Sequence, residues 1–263
     1  MKQVWSIYSA AGKELSSFEL RPFRDPYYKI STAGLIGGGT TPTVGEITLA
    51  HCGVLFLDEM GEYQPSVLDS LRTPLEEKHI NIVRNGRNYV FPADFLLVGA
   101  ANPCKCGNYG SSTKECTCTA FDIRQHRKKL TGPIANRIHI HVYVPNISYE
   151  DYKEEKSISS AQMRSQVLKA LLAQEERFGP YPISRNSQLD GVLLRKCCAL
   201  NPQSERYLKL AYENMNLNPR SSTNLLKVAR TIADIEGLEN IDSTSLLEAI
   251  SYVDLERIYG REI

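Results

Sequence analysis

The sequence predicts an α/β protein in which a parallel sheet with inserted β-hairpins is followed by an all-helical subdomain. Three observations carry this. Up to about Pro145, short apolar runs alternate with helical segments and Gly- or Pro-rich loops. Two of those runs, at 54–57 and 95–98, are continuously apolar, as strands covered on both faces are. Beyond Pro145 the strand pattern stops and apolar residues recur at helical spacing. The expected division is a core of residues 1–147 and a helical subdomain of residues 148–263.

Four runs predict strands: 54–57, 79–83, 95–98 and 138–144. Between the first two, Pro65 can open a helix that carries Val67, Leu68 and Leu71 on one side, and Pro74 should end or kink it. Asn85-Gly86 sits between alternating residues, the strongest short-range signal for a hairpin. In the second half, Met163, Val167, Leu168, Leu171 and Leu172 mark the apolar face of a helix over 160–178, closed by Gly179-Pro180. Further helices are expected near 189–200, 204–215, 219–235 and 243–258. Asn218 caps the fourth of these five ahead of Pro219, and Gly237 ends it.

Composition excludes several classes. The 263 residues carry 31 basic and 30 acidic side chains, with 42% hydrophobic and 23% charged residues. That balance fits neither a strongly basic nucleic-acid coat, nor an acidic tail, nor a disordered polymer. Any nucleic-acid contact must therefore come from local patches. No run approaches the roughly 18–20 apolar residues of a spanning helix, and the N-terminus has no apolar signal region. The seven cysteines are an odd number, and Cys197 and Cys198 are adjacent within a helical pattern. Such usage fits a reducing compartment, so a cytoplasmic globular protein without membrane attachment is expected.

The strongest chemical signal is the pair Asp58-Glu59 directly after Val54-Leu55-Phe56-Leu57. Ligands of open α/β sheets gather at the carboxyl ends of strands. An acid there can hold Mg²⁺ through its water shell, and a second can orient an attacking water. This is a Walker B pattern, with Asp58 on the metal and Glu59 on water; the plain alternative is an exposed acidic pair. The next apolar strand runs into Asn102-Pro103, and the Asn102 amide could hydrogen-bond a γ-phosphate or the water, or merely form a turn. Arg84 and Arg87 bracket the hairpin tip. They either meet a nucleic-acid backbone or lie solvated on the surface.

Cys104-Lys105-Cys106 and Cys116-Thr117-Cys118 place four thiols in one loop, a set that suits tetrahedral Zn²⁺. Free thiols or adventitious disulfides are the alternatives. Thr119 with Asp122 reads as a capping box for a helix carrying Arg124, His126, Arg127, Lys128 and Lys129. That run is either a phosphate-contacting face or a solvated one.

Several further runs occur in order: Arg21-Pro22-Phe23-Arg24, Gly34 to Gly39, Gly45 to His51, Asn102-Pro103-Cys104, Gly132-Pro133, Asn136-Arg137-Ile138 and Leu226 to Asp234. With the acidic strand, they make the chain resemble the magnesium-chelatase-like AAA+ ATPases of the competence-protein ComM type over nearly its whole length. The resemblance implies a partial AAA+ P-loop core followed by a helical lid, ATP and Mg²⁺ as cofactors, and a homo-oligomeric, hexameric ring. It also implies that ATP hydrolysis is coupled to DNA remodelling by helicase or branch-migration activity. It assigns Asp58 and Glu59 to the Walker B pair, Asn102 to sensor 1, Arg137 to the arginine finger and Arg220 to sensor 2. Related sequences carry a similar cysteine cluster, often with Pro at the position of Lys105.

The chain departs from the family at Tyr27-Tyr28, where two histidines are usual, and at Asn136 and His139, where Asp is usual. No Gly-x-x-x-x-Gly-Lys-Ser/Thr occurs in the 263 residues; Gly12-Lys13 is followed by Glu14, and Gly37-Gly38-Gly39 reads as a flexible insertion loop. The resemblance therefore implies the C-terminal part of a longer protein or the product of a truncated gene. Without the lysine and its nest of backbone N–H groups, the isolated chain is expected to bind ATP weakly or not at all and to be inactive alone. Two other functions fit the same residues: a non-catalytic, zinc-stabilised module that binds DNA or a partner, and a subunit of a metal chelatase.

Overall fold

A computed structural model describes residues 2–15, 17, 20–40, 42–111, 114–131, 134–145, 149, 153, 158–215 and 217–253. The Gly132-Pro133 motif lies outside the described residues. The chain forms two compact units, Met1–Ile138 and His139–Glu262.

The first unit is built on a parallel sheet of β1 (Phe23–Arg24), β4 (Val54–Leu57) and β7 (Leu96–Gly99), with β4 central. Leu55 and Leu57 are fully buried, whereas Leu96 is 61% and Val98 39% exposed. The expectation of strands covered on both faces thus fails for β7, which is an edge strand of the described sheet. Gly53 opens β4 with its backbone pressed on Pro22, so that an added Cβ would overlap the Pro22 carbonyl. That closeness lets Val54 N donate to Pro22 O at 2.8 Å and Leu96 N to Gly53 O at 2.9 Å, joining the three strands at one end.

Helix α1 (Lys2–Ala10) packs Val4 and Tyr8 on Leu49 of α3 (Glu46–Leu49). Helix α2 (Thr32–Ile36) is capped by the Ser31 side chain. The three-glycine segment is not the loop expected from sequence: β2 (Gly37–Gly38) pairs with β3 (Thr43–Val44) as a small hairpin. After β4 come α4 (Pro65–Ser70), which buries Val67 and Leu68, and α5 (Arg72–Glu77). The break falls at Leu71 rather than at Pro74. Pro74 lies in the first turn of α5, where its missing N–H has no intrahelical partner to lose.

Strands β5 (His79–Arg84) and β6 (Arg87–Pro92) form an antiparallel hairpin apart from the parallel sheet. Asn85 and Gly86 both have positive φ, 51° and 71°, the requirement of a type I′ turn. The expected strand at 138–144 does not form. Ile140, Val142 and Val144 are exposed, and His141 N donates instead to Tyr252 O at 2.9 Å. Alternation specifies a strand only where a neighbouring strand can pair with it.

The second unit contains α7 (Ser160–Phe178), α8 (Gly191–Cys197), α9 (Pro202–Asn214), α10 (Pro219–Ile235) and α11 (Ser243–Val253). Phe178, Leu189, Leu225, Ala229, Ala233, Leu246 and Ala249 make its core. Asn218 caps α10 by accepting from Ser221 N at 2.9 Å. The predicted apolar face of α7 is not what packs. Ala170, Gln174 and Phe178 are buried, while Met163, Val167, Leu168 and Leu172 are exposed; the face that packs carries Gln174, which accepts from Asn186 N, and Arg177, which donates to Asp234 of α10.

No helix among the described residues is long and apolar enough to cross a membrane.

Candidate functional site

Pairing fixes the relation between the acidic turn and Asn102. Val54 to Leu57 register against Leu96 to Gly99 in parallel, so both strands end at the same level. Two more hydrogen bonds extend the contact beyond the strands: Ala100 N donates to Leu57 O at 2.9 Å, and Met60 N donates to Ala100 O at 2.8 Å. Asp58-Glu59 and Asn102 therefore leave neighbouring strand ends on the same edge of the sheet. All three are exposed.

Glu59 takes a left-handed conformation, φ 49° and ψ 43°, while its N–H donates to Asp58 Oδ1 at 2.9 Å. A non-glycine residue in that region carries a cost of about 1 kcal/mol. Glu59→Gly is expected to raise the unfolding free energy by up to about 1 kcal/mol while deleting the carboxylate. A urea midpoint unchanged or lowered would show that the turn is not strained.

The other predicted residues lie on separate elements. Arg137, in the short turn Ala135–Arg137, makes an ion pair with Glu76 of α5 at 2.6 Å and is only 15% exposed. Its guanidinium lies against its own unit. Arg220 is exposed in the first turn of α10, in the second unit. Arg84 and Arg87 face each other across the hairpin tip, both exposed. Tyr27 and Tyr28 pack at 4.4 Å between ring centroids, with Lys29 over both rings. Beside them is a cleft of about 380 Å³ lined also by Arg24 and Glu46, which are themselves bonded through two charged hydrogen bonds at 2.5 and 2.9 Å.

The four cysteines do converge. The Cys104 sulfur lies 3.4 Å from Cys106 and 3.7 Å from Cys116, and Cys106 lies 3.5 Å from Cys116. The sulfur of Cys118 joins them, all four within 4.8 Å of one another. Tetrahedral zinc with bonds of about 2.3 Å needs sulfurs about 3.8 Å apart, so the donor set and spacing fit. These separations exclude a disulfide, whose S–S length is about 2.05 Å. Backbone hydrogen bonds with Asn108 and Thr117 lower the Cys106 thiol to about 5, making it a ready thiolate. At Cys116 a backbone hydrogen bond with Cys118 acts downward. Desolvation and the neighbouring Cys106 and Cys104 outweigh it, pushing that thiol up to about 12.

Helix α6 (Ala120–Thr131) ties this cluster to the strand ends, and the sequence did not reveal how. Thr119 caps it, accepting from Asp122 N at 3.1 Å. Its basic run is largely spent inside the unit. His126 is buried and bonds through Nε2 to Asn102 O at 2.9 Å, and Lys129 donates to Gly61 O at 2.7 Å. Arg127 stacks on the Tyr109 ring at 4.2 Å. Only the 3.6-residue recurrence of Ile123, His126 and Leu130 hints that this histidine faces inward.

The architecture is that of a partial AAA+ core followed by a helical subdomain. More specifically, the chain belongs to the magnesium chelatase ChlI family. Residues 1–152 match the family described as magnesium chelatase, subunit ChlI, and residues 157–253 match its C-terminal region. Among curated proteins it is 37% identical over 257 residues to competence protein ComM of Haemophilus influenzae, covering 96% of this chain and 49% of that protein. It is 35% identical over 246 residues to the uncharacterized protein YifB of Salmonella typhimurium, covering 92% and 47%. The chain thus spans about half the length of these relatives.

Proposed function

We propose that this chain supplies the acidic, sensor and lid portion of a Mg²⁺–ATP site in a ring-forming, cytoplasmic ATPase that remodels DNA. In this reading the phosphate-cradling lysine comes from polypeptide outside the 263 residues. The observation that carries it is the alignment of two parallel strand ends, which puts Asp58-Glu59 and Asn102 on one edge. Asp58 would hold Mg²⁺ through water, Glu59 would orient the attacking water, and Asn102 would donate its amide to the γ-phosphate. Arg137, once released from Glu76, would reach the nucleotide of a neighbouring subunit. Arg220 would contact nucleotide from the lid. The exposed Arg84–Arg87 tip would meet DNA phosphates, and the four cysteines would hold structural zinc.

Two measurements test this. Titration of the chain with Mg²⁺–ATP by calorimetry is expected to give no micromolar binding; such binding would refute the division of labour. Mixing the chain with the half of the Haemophilus relative that it does not match is expected to generate ATP hydrolysis. That activity should vanish with Asp58→Asn or Glu59→Gln. Hydrolysis insensitive to both substitutions would remove the acidic pair from the site.

The converged cysteines fit equally a second reading, a zinc-stabilised module that binds DNA or a partner without hydrolysis. It predicts no hydrolysis in the mixture, with DNA affinity retained. A metal-chelatase subunit, the kind of protein the family description names, is the third reading.

A further inference from the structure

The four cysteines and the backbone at the strand ends are joined by two separate routes, and together these close a ring of contacts. The first route is covalent and short: Asn102, Pro103 and Cys104 are consecutive. Proline fixes its own φ and restricts the residue before it, so little slack separates the Cys104 sulfur from the Asn102 peptide. The second runs through α6. Tyr109, whose N–H donates to Cys104 Sγ at 3.4 Å, lies under the Arg127 guanidinium. The residue before Arg127 is His126, which holds Asn102 O at 2.9 Å. One turn further, Lys129 holds Gly61 O at 2.7 Å, two residues beyond Glu59. The knuckle thus grips the Asn102 loop directly and reaches the Asp58-Glu59 turn through the helix.

We infer that the cysteine knuckle is a metal-operated latch: zinc on Cys104, Cys106, Cys116 and Cys118 fixes α6, and His126 and Lys129 then hold Asn102 and the Asp58-Glu59 turn in register. This rests on the zinc reading above and adds to it a positioning role for His126. Four sulfurs at these separations have no covalent link, and a shared cation is what would hold Cys104 in place and, through its bond to the Tyr109 amide, keep the Tyr109 ring under Arg127. His126 is 4% exposed and bonds to the backbone of Asn102, so it acts on the site through that peptide.

The test is amide hydrogen exchange on the full chain, loaded with one equivalent of zinc or stripped by chelator. Removing zinc is expected to speed exchange about tenfold or more in peptides covering 58–63 and 96–103, the change that loss of roughly one hydrogen bond produces. Peptides covering 46–50 and 225–233, in two separate cores, should not change. His126→Ala is expected to bind zinc with unchanged stoichiometry while exchange at 96–103 becomes fast and indifferent to zinc. His126→Gln, which retains a donor, should restore part of the zinc dependence.

One zinc per chain with the same exchange in both states would overturn the latch and leave the zinc site standing. Failure to bind zinc at all would remove both. A uniform rise in exchange across 20–131 would also overturn the latch, since the metal would then serve folding in general.

Discussion

Asp234→Ala is expected to lower the unfolding free energy of the helical unit by about 3–5 kcal/mol, the cost of leaving a buried charge without its partner. Asp234 is 2% exposed and Arg230 1%. The Asp234 carboxylate accepts from Arg230 Nε at 3.1 Å, from Arg177 at 2.9 Å and from Asn186 Nδ2 at 2.7 Å. Arg230 also donates to the Glu239 and Leu238 carbonyls, at 2.8 and 2.6 Å, which anchors the chain leaving α10. Removing the carboxylate strands one guanidinium in the core and a second at its edge, while the helix-turn contacts pull on the same side chain. Urea unfolding followed by circular dichroism measures the effect. Arg230→Met in the Asp234→Ala background should recover part of the loss, because an apolar side chain has no charge to desolvate. A loss below about 1 kcal/mol would mean that water reaches the cluster and that its burial is not what stabilises the unit.

Cys104→Ser should have the largest effect on metal binding. Its sulfur is fully buried, touches two other cysteine sulfurs and accepts from the Tyr109 amide. Zinc affinity is expected to fall by at least about a hundredfold, since even an outer-shell partner of a metal can cost that much. Because metal binding to such a knuckle is coupled to its folding, the zinc-loaded melting temperature should fall with it, at roughly 2–4 °C per kcal/mol for a chain of this size. Competition with a chromophoric chelator gives the affinity. Cys52→Ser and Cys197→Ser, outside the cluster, should leave it unchanged. A Cys104→Ser protein that holds zinc as tightly as its parent would show that the metal is bound elsewhere.

The readable parts of this molecule are those whose chemistry is local. Val54 to Leu57 followed by two acids, Asn85-Gly86 between alternating residues, Asn218 before Pro219, and two Cys-x-Cys pairs each state their structure within a few residues. Residues 138–144 show the limit, because their alternation needs a neighbouring strand that the described residues do not supply. The apolar stripe on α7 has helical spacing, yet spacing alone cannot name the part of the stripe that finds a partner. His126 and Lys129 looked like members of a basic face. Their partners, Asn102 and Gly61, are 24 and 68 residues away, and only tertiary docking brings them together. Arg230 and Asp234 have the four-residue spacing of an ordinary surface pair, which conceals their burial.

The hairpin tip has one more consequence. Arg84 and Arg87 stand directly opposite across the pair, and like charges so placed oppose the turn by a few tenths of a kcal/mol to about 1 kcal/mol. A polyanion laid over them would cancel that repulsion and tighten the loop by the same amount. Under the proposed contact with DNA, the stiffness of the tip would be borrowed from the phosphate backbone the two arginines meet.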